Sequence, residues 1–221
     1  MNSIMETVCG VCTTVRNNSK TDASFQKLLG GLRREFRLHG FDILIRTVRK
    51  KTLLPEEFYV NAYYDPIDDH NGDTAIEVIA YHNFDSDVVW DRAHITSLFV
   101  QIFDAIIHEL KHQRQSRKRH YEPVWPEATS THEYLSEPDE IDAYSLSIAI
   151  ELCRSLGKNR ALRYMGKITS LSRLKFQDHY VSPNLYFYFK QFGNLSHPTL
   201  RSLAKKVYIR IQKVDTDAIF V

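Results

Sequence analysis

The feature that most constrains this chain is an apolar stretch containing two histidines four residues apart. It reads Ile-Ile-His-Glu-Leu-Lys-His over residues 106–112. At about 100° per residue, the surrounding apolar side chains fall on one face of a helix, and His108 and His112 fall together on the opposite face. The pattern therefore predicts an amphipathic helix that buries one side and directs both imidazoles to the other.

The spacing of these histidines is typical of a zinc site. Imidazoles four residues apart on a helix can bind one metal ion, and a glutamate next to the first histidine can act as general base toward a zinc-bound water. This interpretation makes His108 and His112 metal ligands and Glu109 the catalytic residue. The alternative interpretation is a surface helix with two solvated histidines.

Composition indicates an ordinary globular protein. The 221 residues are 43% hydrophobic and 25% charged, with a net charge of +2, which does not by itself indicate a nucleic-acid partner. The sequence has neither a membrane-spanning apolar run nor a secretory signal pattern, so we expect a cytoplasmic location and no membrane partner. Three cysteines agree with a reducing compartment, and the lone Cys9-x-x-Cys12 pair is interpreted as two ordinary residues.

The chain before the histidine helix predicts one helix and three strands. A helical spacing of apolar residues follows Asp22 or Ser24, either of which suits a helix N-cap. The strand segments are rich in β-branched and aromatic residues and are separated by proline and Asn-Gly turns. The predicted helix is 22–38, and the predicted strands are 41–48, 58–64 and 74–81.

The segment 114–137 links the histidine helix to the next helix. Its first residues are basic and are expected to continue the histidine helix, because cations favour a helix C-terminus. An irregular stretch with two prolines follows. This stretch is either a wall over the zinc ion or a packed connector anchored by Trp125.

A third metal ligand is expected from the helix that starts near Pro138. Ser136 and Asp139 approximate a capping box, and proline suits the first turn. Glu140 is our prediction for the ligand, although acidity at a helix start has a plain electrostatic explanation. The other candidates for this third position are Asp139, Asp142 and His132.

The C-terminal third is predicted to be helical, with helices over 159–168, 183–192 and 198–214. The aromatic residues of the second of these helices are interpreted as core. The third helix has a basic outer face, which usually is only solvated. Its outward residues are Arg201, Lys205, Lys206, Arg210 and Lys213.

The order of a helix, three strands and a His-Glu-x-x-His helix resembles the N-terminal half of zincin metallopeptidases. The sequence Glu140-x-x-Ala143, 28 residues after His112, resembles the third-ligand motif of the gluzincin branch. The run from Asp139 to Tyr144 is similar to the start of a helix in small predicted metallopeptidases of tailed phages. The resemblance covers about residues 22–156.

The resemblance implies an α+β, zincin-like fold in three parts: an N-terminal segment 1–21, a catalytic core 22–156 and a helical extension 157–221. It implies Zn²⁺ held by His108, His112 and Glu140, a peptide or protein substrate, and host cytoplasm if a phage encodes the chain.

Further roles follow from the same resemblance. The strand 74–81 becomes the candidate edge for pairing with an extended peptide, the alternative being an ordinary interior strand. Asp104 is either a partner that orients a metal ligand or a solvated aspartate. The candidate donors to the oxyanion are His120, Tyr121, His132, Tyr134, His179 and Tyr180.

Two other functions stay open. One is a zinc-stabilised binding protein without catalytic activity. The other is a regulatory or nucleic-acid-associated factor that uses the basic patches at 114–119 and 201–213.

Overall fold

The computed structural model describes residues 2–19, 24–55, 57–83, 90–123, 128–168 and 178–219. Within these ranges the chain combines helices with one three-stranded sheet, so the predicted α+β class is confirmed. The chain divides into two compact units, one ending at Glu122 and the other comprising Pro123–Ile219. The division into segments 1–21, 22–156 and 157–221 groups residues by function and stays a prediction. No described helix has both the length and the apolar character needed to cross a membrane.

The first unit contains all three strands. Its elements are, in chain order, α1 (Asn2–Asn18), α2 (Phe25–Leu38), β1 (Ile43–Arg49), β2 (Phe58–Tyr64), α3 (Pro66–Asn71), β3 (Ile76–His82) and α4 (Arg92–Lys118). The predicted helix and strands agree with α2 and the three strands to within three residues. Ser24 is the N-cap of α2, without a capping hydrogen bond from its side chain, and Asp22 lies outside the described residues. Helix α1 and the short helix α3 were not predicted.

The sheet has the strand order β1-β3-β2. Strand β3 pairs in parallel with β1 and antiparallel with β2. The expectation that 74–81 forms an edge is therefore wrong, and the alternative of an interior strand is confirmed. The physical reason is that strand order depends on pairing with distant segments, and the local apolar pattern of β3 does not encode it. Five of the seven residues of β3 are buried, in agreement with an interior position.

Helices cover one face of this sheet. Helix α4 contacts β2 and β3, and α2 contacts β1. The side chains of Ile45, Val78 and Ala80 alternate with outward residues along their strands and are fully buried beneath these helices. The covered face is thus the platform on which the histidine helix lies.

The second unit is helical in its described residues. Its elements are α5 (Thr131–Tyr134), α6 (Pro138–Leu156), α7 (Lys158–Lys167), α8 (Asp178–Val181), α9 (Pro183–Phe192), α10 (Pro198–Lys213) and a 3-10 turn (Thr216–Ala218). The predicted C-terminal helices agree with α7, α9 and α10. Helix α6 packs on α7, α9 and α10. The apolar residues of α10 are buried: Leu200, Leu203, Val207 and Ile211.

Candidate metal centre

Helix α4 holds the histidine pair on its less buried face. The helix begins after Asp91, whose carboxylate accepts a hydrogen bond from the backbone N–H of His94 at 2.8 Å, as an N-cap residue does. His108 and His112 are half-buried, opposite the apolar face, as predicted. The residues of the apolar face are buried: Ile95, Leu98, Phe99, Ile102, Phe103, Ile106, Ile107 and Leu110.

The two imidazoles approach each other through their Nε2 atoms. The distance from Nε2 of His108 to Nε2 of His112 is 3.1 Å, and the ring planes meet at 66°. Two nitrogens bound to one tetrahedral zinc ion, each about 2.0–2.1 Å from it, lie about 3.3 Å apart. The pair therefore already has the spacing of two ligands on one metal ion.

Glu109 lies next to the first histidine and is only 9% exposed. At about 100° per residue Glu109 falls at the border between the apolar and polar faces of the helix, and its burial agrees with that position. A carboxylate in such surroundings interacts more strongly with neighbouring charges than a solvated carboxylate does.

Glu140 lies in the first turn of α6 and is 6% exposed. Pro138 occupies the start of that helix, as predicted. The predicted capping role of Ser136 is wrong. Glu137 is the N-cap residue, and the Ser136 hydroxyl donates instead to the carbonyl of His132 at 2.7 Å. A buried carboxylate at this end of a helix is stabilised by the helix dipole.

His108 and His112 belong to the first unit, and Glu140 belongs to the second. Two imidazole nitrogens and one carboxylate oxygen are the ligands of a catalytic zinc site, which keeps a further position for water. These residues are the three metal ligands expected from the sequence, and their binding of one ion stays a prediction.

Two of the other third-ligand candidates have partners of their own. The carboxylate of Asp142 accepts a hydrogen bond from Arg210 at 2.6 Å, with Lys206 at 3.9 Å. The ring of His132 packs against Phe192, with 4.2 Å between the ring centroids. A metal ion bound by either side chain would have to displace these contacts, and the third ligand stays a prediction.

The residues after α4 adopt an unusual backbone conformation. His120 and Tyr121 both have positive φ, at 54° and 65°, which is uncommon for residues with bulky side chains. The hydroxyl of Tyr121 takes part in a hydrogen bond with Arg117, and its ring lies 4.8 Å from that of His70. Because an arginine side chain only donates, the Tyr121 oxygen accepts in this bond, and the role of Tyr121 as an oxyanion donor stays a prediction.

The other oxyanion candidates stay predictions. His120, His132, Tyr134 and Tyr180 are exposed. The side chain of His179 and the loop around Trp125 lie outside the described residues.

The sequence analysis missed the contact that ties α3 to the histidine helix. The carboxylate of Asp69 accepts hydrogen bonds from Gln113 at 2.9 Å, from Tyr64 at 3.0 Å and from Arg117 at 2.6 and 2.8 Å. Arg117 is the main cause that lowers the pKa of this carboxyl group below its usual value, against the opposing effect of burial. Gln113 follows His112 directly, so Asp69 fixes the turn of α4 that holds the second histidine.

A local signal for α3 existed in the sequence. Asp65 caps it, Pro66 starts it, and Gly72 ends it with a φ of 81°. These three residues are the usual markers of helix ends, and they were interpreted as a turn.

Asp104, Cys9 and Cys12 lie together in the first unit. Cys12 is buried in α1, and burial raises the pKa of its thiol, with smaller contributions from Cys9 and Asp104. Neither cysteine forms a disulfide bond. The orienting role considered for Asp104 stays a prediction.

Comparisons with protein-family models, with curated proteins and with solved structures found no match to this chain.

Proposed function

We propose that this protein is a zinc-dependent metallopeptidase of the zincin type. The observation that carries the proposal is the pair of Nε2 atoms of His108 and His112, 3.1 Å apart on one helix beside the buried Glu109. Glu140, a buried carboxylate in the first turn of its own helix, is the third ligand of the proposal. The resemblance to gluzincins and to phage proteins is part of the proposal. It is the reason why a metallopeptidase is expected rather than another zinc protein.

In the proposed site, the two histidines and Glu140 would hold Zn²⁺. When bound, the ion supplies Lewis acidity and lowers the pKa of a water molecule toward neutrality. Glu109 then accepts the proton of the attacking water through its carboxylate and returns it to the nitrogen of the leaving amine. The substrate is a peptide or protein segment.

The sheet suggests how a peptide would be held. Strand β2 is the edge strand in contact with α4, and Gln101 of that helix already accepts a hydrogen bond from Val60 N at 3.1 Å. An unpaired strand edge offers backbone groups to an extended peptide. Strand β2 therefore replaces the segment 74–81 as our candidate for substrate pairing.

Zinc content tests the ligand set. We expect about one zinc per chain in the wild type, by elemental analysis after dialysis, with loss of zinc in His108→Ala and reduced zinc in Glu140→Ala. His94→Ala, on the exposed start of the same helix, and Glu133→Ala, an exposed glutamate, are the matched controls and keep their zinc. A folded wild type without zinc would contradict the proposal.

Cleavage tests the catalytic role of Glu109. We expect Glu109→Gln to keep its zinc and to cleave a peptide library at least about a hundredfold more slowly than the wild type, because the amide cannot accept the proton. If zinc binds but neither protein cleaves any peptide, the chain is instead a zinc-stabilised binding protein. Equal cleavage by both proteins would exclude Glu109 as the base.

A further inference from the structure

In the described part of the first unit, the face of the sheet opposite the helices is partly exposed, and Ile79 at its centre is buried. Ile45, Val78 and Ala80 point toward α2 and α4 and are buried. Leu44 and Tyr63 point the other way and are 50% and 51% exposed. Residues of this outer face alternate with core residues along each strand, as the pleat of a sheet requires. Five of these residues define what we call the tyrosine face: Arg46, Lys50, Tyr59, Tyr63 and Tyr81.

The tyrosines form a connected aromatic surface. Tyr59 lies directly opposite Tyr81 across the β2–β3 pair, and their rings stack with 4.8 Å between centroids and 16° between planes. Tyr63 lies four residues further along β2, on the same face. Partial burial, and then a hydrogen bond with Tyr63, raise the pKa of the Tyr81 phenol. Three aromatic side chains are thereby held in fixed positions on an exposed face.

Two cations flank this aromatic surface along β1. The ammonium group of Lys50 donates to the Tyr59 hydroxyl at 2.8 Å and lies 5.1 Å from the centroid of that ring. Arg46 donates to both carboxylate oxygens of Glu77. Four residues separate the two cations, or about 13 Å along a strand. Lys51 extends the basic run, so this corner of the sheet is more positive than the net charge of +2 indicates.

We propose that the tyrosine face binds single-stranded nucleic acid. Bases stack on the rings of Tyr59 and Tyr81, because every base has a planar face suited to an aromatic side chain. Phosphates of the same strand pair with Lys50 and Arg46 along the edge of the sheet.

The chemistry favours this partner over a protein. An acidic peptide would satisfy the cations but has no planar group for each ring of the stacked pair. An apolar protein surface would cover the rings and leave the Lys50 ammonium group without a counter-charge, whereas Arg46 is already paired with Glu77, and burying a charge without a partner is costly. The proposed face does not include the histidine pair, so its test is independent of zinc.

The first experiment measures binding to the full chain by fluorescence anisotropy. The probes are a labelled oligothymidylate and a labelled oligouridylate of about twelve nucleotides, and a duplex of the same length, each titrated at several salt concentrations. We expect tighter binding to the single strands than to the duplex. Two phosphate contacts predict a slope of about −1.4 for log K against log salt.

Matched variants separate the stacking of bases on the tyrosine rings from the electrostatic attraction of the phosphates. Tyr59→Leu keeps the apolar bulk and loses the flat ring, so binding should weaken by roughly fivefold to a hundredfold. The control Tyr208→Leu makes the same change at a 41% exposed tyrosine of α10 and leaves binding unchanged. Lys50→Gln should reduce the salt slope by about 0.7, and Lys51→Gln, next in the chain but off the face, should not.

Circular dichroism and thermal melting confirm that each variant is folded. No binding of any single strand at about 100 μM protein, which is the weak end of non-specific affinity, would overturn the proposal. Equal losses in Tyr59→Leu and Tyr208→Leu would also overturn it. A wild-type dimer in sedimentation equilibrium that Tyr59→Leu converts to monomer would instead assign the face to a second copy of this chain.

Discussion

At the scale of single residues, Asp69 is the clearest case of a side chain whose partners the sequence does not reveal. Its carboxylate is 5% exposed and joins α3 to Arg117, 48 positions later in the chain. A contact over that separation leaves no local pattern. The histidine pair was predictable because its geometry depends only on the four-residue spacing within one helix.

Replacing Asp69 by asparagine tests this contact. The amide loses the charge that Arg117 and Gln113 approach, so we expect Asp69→Asn to lower the free energy of unfolding by about 2 kcal/mol near neutral pH. The folded-state pKa of Asp69 lies below its usual value. Its contribution is therefore present above the unfolded-state pKa, about 3.9, and is lost as the pH falls through the folded-state pKa.

Urea denaturation at about pH 7, 5 and 3 measures this dependence. The difference in the free energy of unfolding between the wild type and Asp69→Asn should be the same at about pH 7 and 5 and smaller at about pH 3. Asp68→Asn, the neighbouring residue in α3, is the control and should change stability little at any of them. A difference that grows as the pH falls would contradict the prediction.

At the scale of elements, helix ends and strand order were predicted with unequal success. Gly157 ends α6 with a φ of 73°, and a glycine just past the last helical residue is the usual local signal for such an end. Helix α1 was missed although Met5, Val8 and Cys12 have helical spacing and are buried. Its β-branched residues and Gly10 give it weak intrinsic helix propensity, and packing overrides that preference. The order of the strands depends on pairing across the chain, which local alternation does not encode.

The same substitution at two glycines should have opposite effects. Gly157→Ala places a β-carbon on a residue with positive φ, and we expect a loss of about 1 kcal/mol in the free energy of unfolding. Gly10→Ala lies inside α1 with nothing within 4 Å of the added atom, and we expect a gain of about 0.5–1 kcal/mol. Chemical denaturation of both variants measures the two effects, and effects of equal sign would refute the argument.

At the scale of the whole molecule, the proposed zinc ion links function to stability. A metal that binds only the folded chain at a hundredfold excess over its Kd adds about 2.7 kcal/mol to the free energy of unfolding. For a chain of this length, the melting temperature should rise by roughly 5–10 °C. Differential scanning calorimetry with and without zinc measures the shift. His108→Ala should show none, whereas His94→Ala should match the wild type.

The position of β3 between its neighbours has a consequence for the order in which the sheet assembles. Strands β2 and β3 are joined by the short segment that contains α3, so their antiparallel pairing closes a small loop. Strand β1 reaches β3 only across the whole of β2 and α3, and closing that larger loop costs more chain entropy. We therefore expect the β2–β3 hairpin to form early during refolding and β1 to dock late. Amide protons of β1 should then gain protection from hydrogen exchange after those of β2, and the platform beneath the histidine helix is complete only at that last step.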